Sequence, residues 1–332
     1  MKKLLSILLV LCMLFIFGAC NQNVSDDTDK KDITLCLDWT PNTNHTGFYV
    51  ALAKGYYEQA GIDLTIVQPP EDGAEIMTAS GQAQFGITFQ DTVAAYFAAE
   101  NPLEITAVSA ILQHNTSGII TRKGEGGERP KGLEGKRYST WNSPIEIATI
   151  KSVMESDGGD FNKLELLPNV VTNEAEALKN KDTDAIWIFY AWAGISCELS
   201  GLDFDYFQFT DIDPVFDYYT PIIVANNDFL KNDPNTAVAF LEATKKGYQY
   251  AIDNPEEAAQ ILINGDTTGS LKGLEEFVTE SQKWISTQYI ADSKKWGYID
   301  FERWDRFYSW LYDNKLIEKD ITGYGYTNDY LF

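Results

Sequence analysis

Between residues 38 and 45 the chain reads Asp-Trp-Thr-Pro-Asn-Thr-Asn-His, which gathers a carboxylate, an indole, two side-chain amides and an imidazole in one polar stretch. The indole of Trp39 offers a face to a flat ring, and such stacking is worth roughly 0.5–1.5 kcal/mol beyond area burial. Asp38 can accept from a ring amino group. His45 can donate to or accept from a ring nitrogen, and the amide of Asn42 can do both. The set suits a planar, polar, heteroaromatic ligand. Each residue also has a plainer role open to it: Trp39 as a plug between helix and sheet, Asp38 as the partner of a helix N-terminus, His45 as a buried cap.

These residues need elements to position them. Ile33 to Leu37 is a short apolar run that reads as a buried strand, and a helix is predicted over 44–57 with Asn44 at its N-cap. Strands at 62–67, 85–88 and 105–111 then alternate with helices at 74–80 and 91–99, the order of an α/β layer with a mostly parallel sheet. In open sheets of this kind ligands gather at the carboxyl ends of the strands, where the 38–45 stretch lies. A strand-like run at 117–121 precedes a Gly- and charge-rich turn, and the first crossing to a second lobe is placed just before that turn. Strands at 137–140, 164–167, 185–189 and 206–209 and a helix at 144–156 build the second lobe. The run 219–225 reads as the returning strand, and helices at 234–252, 255–263, 274–285 and 301–312 would cover the first lobe. The expected arrangement is a clamp with residues 33–120 and 221–332 in lobe I and 121–220 in lobe II.

Four further loops qualify as cleft walls. Gln90, in Thr-Phe-Gln-Asp-Thr, offers a donor and an acceptor to an aminopyrimidine edge, or else caps a turn. Gln113-His114-Asn115-Thr116 suits a surface or hinge role as well as a ligand. Trp141 lies where a strand opens into a helix, and backbone amides there favour an anionic or strongly polar group. Tyr190 and Trp192 are stacking partners or core, and one of Tyr218 and Tyr219 at the return crossing should face the cleft. Hinged closure would then trap the ring between aromatic side chains while polar groups read its edge.

The motif Asp38-Trp39-Thr40-Pro41-Asn42-Thr43-Asn44-His45, with the phrase Lys54-Gly55-Tyr56-Tyr57-Glu58-Gln59-Ala60-Gly61-Ile62 after it, resembles the family that joins bacterial thiamine-pyrimidine-precursor binding proteins to fungal pyrimidine synthases. The resemblance runs over most of the chain after residue 32. It implies an α/β, two-lobed periplasmic-binding-protein-like (type II) fold with two hinge crossings. It also implies a pyrimidine ligand. In the fungal enzymes a histidine matching His45 is the pyrimidine source, and a cysteine-rich motif binds iron. No clustered cysteines occur here. The bacterial receptors carry an aromatic-rich segment ending in a Glu that contacts the pyrimidine; the nearest match is Phe189-Tyr190-Ala191-Trp192-Ala193, with Ala193 in place of that Glu.

The N-terminus has a basic start, an apolar run from Leu4 to Phe17 and then Gly18-Ala19-Cys20. The run is shorter than the roughly 20 residues that span a bilayer. It reads as a lipoprotein signal over 1–19, with Cys20 lipidated and 20–32 a polar tether, or else as an ordinary signal or short anchor with a chance Cys. Hydrophobic residues make up 44% of the chain and aromatics 13%, a globular composition. A net charge of −23 excludes a nucleic-acid partner, since phosphates need a basic footprint. Cys36 and Cys197 are expected to be buried free thiols rather than a pair, and nothing has zinc spacing.

No nucleophile–base motif and no phosphate loop occurs. The expectation is a non-enzymatic, cofactor-free, monomeric lipoprotein on the outer face of the cell membrane. It would deliver a small heteroaromatic compound to the permease and ATPase of an importer. A thiamine-precursor pyrimidine is the favoured ligand, with riboflavin or another flat heterocycle behind it. A pyrimidine-synthesis enzyme and a sensory surface protein on the same fold are the other readings.

Overall fold

The structure, a computed structural model, describes residues 30–331. The expected signal, the acylated Cys20 and most of the tether lie outside the described residues. Among the described residues ten strands form two five-stranded sheets. The first has the order β2-β1-β3-β10-β4, built from β1 (Lys31–Cys36), β2 (Ile62–Val67), β3 (Phe85–Thr88), β4 (Ile105–Ala110) and β10 (Ile222–Asn226). The second has the order β7-β6-β8-β5-β9, built from β5 (Ser117–Arg122), β6 (Arg137–Thr140), β7 (Glu165–Pro168), β8 (Ala185–Phe189) and β9 (Phe204–Gln208).

The two sheets repeat one plan. In the first, β1 runs parallel to β2 and β3, while β10 runs antiparallel to β3 and β4. In the second, β6 runs parallel to β7 and β8, while β5 runs antiparallel to β8 and β9. The single reversed strand in each sheet is the one that arrives from the other lobe. The remaining strands of each sheet point their carboxyl ends at the space between the lobes, where ligands collect in open α/β sheets. The first crossing lies over 111–116, since β5 is already inside the second sheet. That corrects the boundary at residue 120: the run 117–121 is apolar because it is buried between β8 and β9, not because it closes lobe I. The return crossing occupies 217–221, just ahead of β10.

The helix predicted over 44–57 is broken. A 3-10 turn, Thr43–His45, capped by Asn42 rather than Asn44, leads into helix Thr46–Ala53. Gly55 then adopts φ +70, which ends that helix before Tyr56–Gln59 begins. Thr46–Ala53 packs on the long helix Pro234–Asp253 so closely that a Cβ on Gly247 would sit 2.0 Å from the carbonyl oxygen of Gly47. The lobe I core spreads from this contact through Phe48, Phe85 and Phe240, the last two stacked 3.9 Å apart. No described helix is long and apolar enough to cross a membrane.

Candidate functional site

A cavity of about 350 Å³ lies between the lobes. Pockets of this size hold a drug-sized or smaller ligand. Lobe I contributes Asp38, Trp39 and Asn42–Asn44 from the loop after β1, and Phe89 from the end of β3. Lobe II contributes Trp187 and Phe189 from β8, Trp192 from the turn that follows, and Glu174 from the start of helix Glu174–Lys179. Thr116, Thr220 and Pro221 close it at the crossings.

The loop after β1 takes its shape from His45. Its Nδ1 accepts from the backbone N–H of Asn42 at 3.2 Å, which leaves Nε2 to donate to Asp38 Oδ1 at 2.6 Å. The imidazole is fully buried and stands behind the loop, outside the cavity lining. Its place is that of a brace: it turns the chain and orients Asp38, whose carboxylate lies on the cavity wall. Asn42 Oδ1 accepts from the N–H of Asn44 at 2.9 Å, so the residue both caps the turn and lines the cavity. Trp39 is 55% exposed and lines the cavity.

The lobes meet over this cavity. Phe89 and Phe189 stack across the cleft with centroids 5.9 Å apart and rings 20° from parallel. The turn after β8 packs on helix Glu275–Ser286, with Trp192 against Phe277 and Tyr190 against Trp284. Thr43 and Ser281 share a hydroxyl hydrogen bond of 2.7 Å on the lobe I side, and Ser281 donates to the carbonyl of Ala191.

Of the residues singled out from the sequence, Asp38, Trp39, Asn42 and Trp192 come together on the cavity wall. The others stand apart from it. Tyr190 packs between Tyr206 and Trp284, and its hydroxyl donates to Glu198. Trp141 is 46% exposed and meets the cavity only at second hand, edge-on to Trp187 at 5.3 Å. The helix start beside it does not wait for an anion. The carboxylate of Glu146 fills it, accepting from Ser143 N–H at 3.2 Å, Thr140 hydroxyl at 2.8 Å and the Tyr138 hydroxyl. Gln90 is buried, donating to Trp304 O at 2.9 Å and accepting from Tyr219 N at 2.9 Å, so both ends of its amide tie the return crossing to helix Phe301–Asp313. Tyr218 stacks on Phe307 at 4.1 Å, and the hydroxyl of Tyr219 accepts from Asp300 N at 2.7 Å. Neither tyrosine faces the inter-lobe cavity; they buttress the hinge.

Glu174, Trp187 and Thr220 escaped the sequence reading. Glu174 follows β7, another strand end of the kind that nominated the other loops. Trp187 alternates with Phe189 along β8, a period-two signal that points both residues to one side of the sheet. Thr220 had no signal.

Among the described residues the cavity lining includes two carboxylates and no lysine, arginine or histidine. Burial raises the Glu174 carboxyl above the usual carboxylate range. Cys36 and Cys197 are free and buried in different lobes, and burial, with neighbouring carboxylates adding to it, pushes each thiol up to about 12. Among the described residues no group of three or more His, Cys, Asp or Glu comes together to hold a metal.

The family model described as NMT1/THI5 like matches residues 42–258. The formylaminopyrimidine-binding protein of Halalkalibacterium halodurans is 25% identical over 330 residues, 97% of each chain. A 4-amino-5-hydroxymethyl-2-methylpyrimidine phosphate synthase of Saccharomyces cerevisiae is 24% identical over 342 residues, covering 92% of this chain and 88% of that protein. Among solved structures, a putative periplasmic sulfonate-binding protein from Methylobacillus flagellatus superposes with a TM-score of 0.66 at 15% identity, covering 91% of this chain and 93% of the other. That last likeness concerns the fold, which is the two-lobed fold of periplasmic binding proteins. With its hinge crossings and most of both sheets inside the matched span, the chain belongs to the NMT1/THI5-like family.

Proposed function

We propose that this protein is an extracytoplasmic solute-binding lipoprotein that captures a small planar heteroaromatic compound, a pyrimidine of the thiamine-precursor kind, and hands it to a membrane permease driven by an ATPase. The observation that carries the reading is the inter-lobe cavity, walled by aromatic rings from both halves, with Trp39 exposed on one side and Trp187 and Trp192 on the other. The pyrimidine named for the Halalkalibacterium relative supports the ligand class. A lipid on Cys20 would hold a monomeric receptor beside its permease.

The synthase reading has less in its favour. His45, which the resemblance would make the pyrimidine source, is fully buried with both ring nitrogens hydrogen-bonded. Thermal melting against a panel of aminopyrimidines tests the proposal. A ligand at one hundred times its Kd stabilises a protein by about 2.7 kcal/mol, an easily measured rise in melting temperature. A melting point that ignores every pyrimidine on the panel would sink the reading.

A further inference from the structure

Three groups on the cavity wall have hydrogen-bonding capacity that the protein leaves unused. The indole N–H of Trp187 and the hydroxyl of Thr220 are buried with no hydrogen-bond partner, on residues only 7% and 1% exposed. Among the described residues the half-buried carboxylate of Glu174 makes no ion pair and accepts from no side-chain donor. Asp38, the other acidic residue of the lining, already has one oxygen engaged by His45. Leaving a buried donor unpaired costs about 1–3 kcal/mol, so such groups in a ligand cavity mark where the ligand must supply partners.

We infer that Glu174, Trp187 and Thr220 are the specificity-determining residues of this site, reading an amino group and the adjacent ring nitrogen of an uncharged heterocycle at Glu174 and a separate polar atom at Trp187 and Thr220. The inference rests on the pyrimidine reading above and names the edge by which that ligand is recognised. An amino group beside a ring nitrogen presents one donor and one acceptor side by side. A carboxyl group is its complement in either protonation state: the neutral acid donates to the ring nitrogen and accepts from the amine, while the carboxylate accepts from both when the ring carries the proton. One proton is shared between the two partners, and no net charge is created or lost. The tendency of burial to hold Glu174 in its acid form suits a neutral ring. Trp187 N–H can only donate, so the ligand must bring an acceptor to it.

The same wall rejects anions. With the Asp38 carboxylate in the lining and, among the described residues, no cationic side chain there to pair with an anion, a phosphate or sulfonate would enter a cavity of its own sign. A site built around hydrogen bonds also rejects an analogue that lacks the donor, because its own polar groups are then left unpaired.

Calorimetric titration with three probes tests this: 4-amino-5-hydroxymethyl-2-methylpyrimidine, its 4-deamino analogue and its monophosphate. The intact protein should bind the amine at least thirtyfold more tightly than the deamino compound and a hundredfold more tightly than the monophosphate. Glu174→Leu, similar in volume but without a polar group, should lose at least tenfold toward the amine and narrow the amine-to-deamino ratio. Trp187→Phe should weaken both neutral probes about equally and leave that ratio in place. Amine binding that is indifferent to Glu174→Leu, or a monophosphate bound as tightly as the amine, overturns the inference while the pyrimidine reading stands. Failure of the intact protein to bind any of the three removes the pyrimidine reading, and the inference with it. Melting curves of each variant separate lost binding from lost folding.

Discussion

Trp39 keeps more than half its surface exposed, while eight of the largest fully buried side chains are Trp or Tyr. An indole exposed beside a cavity can offer its face to a ligand ring, and we propose that Trp39 does so. Trp39→Ala should therefore weaken ligand binding at least tenfold, about 1.4 kcal/mol, with the melting temperature of the free protein nearly unchanged. Titration of the variant checks it, and unaltered affinity would take Trp39 out of the site. Side chain by side chain, the sequence was read best where chemistry and exposure agree. Asp38, Trp39 and Asn42 sit on the cavity wall as their loop suggested. Gln90, Tyr218 and Tyr219 look equally suited on paper, yet each is spent inside the hinge, because a buried amide or phenol bonds to whatever the fold brings near.

The elements follow from simpler rules. Pro at the start and a capping box of Ser143 and Glu146 set helix Pro144–Ser156 at the predicted bounds. The apolar run of β8 likewise coincides with its predicted span, Ala185–Phe189. The crossing of helices Thr46–Ala53 and Pro234–Asp253 depends on a pair of glycines that no periodicity reveals. Gly247→Ala would press a methyl group into the backbone of Gly47 and the side chain of Ala51. We expect a net loss of about 1–3 kcal/mol despite alanine's better helix propensity. Urea unfolding should show a lower midpoint with the slope preserved; an unchanged or higher midpoint would mean that the helices can part at no cost.

At the scale of the whole molecule the two crossings are clasped to each other. His114, on the first, bonds through Nδ1 to Asp217 on the second at 2.8 Å, and through Nε2 to Asp292 at 2.8 Å. Asp217 also accepts from Asn115 N–H at 3.1 Å and pairs with Arg303 at 3.4 Å. The hydrogen bond to Asp217 leads the effects that raise the His114 pKa above its ordinary 6.5; burial and Arg303 oppose it. A raised histidine pKa adds stability that is fully present below the unfolded value and is lost as pH rises through the folded one. His114→Gln should thus lower the melting temperature most near pH 5.5, with the deficit shrinking toward pH 9. Melting across that range checks it, and a deficit independent of pH would exclude the charged clasp.

By itself the sequence determined the two-lobed α/β fold and the order of its strands and helices. Those depend on local pattern: apolar runs, caps, glycine turns and the strand-end rule. Only the tertiary structure decided which polar groups face the cavity. Glu174 and Thr220 lie far apart in the chain, and Trp187 reads as ordinary strand core until both lobes close on one space. Whether a polar atom is satisfied depends on every neighbour that folding brings to it, and no window of sequence contains them all.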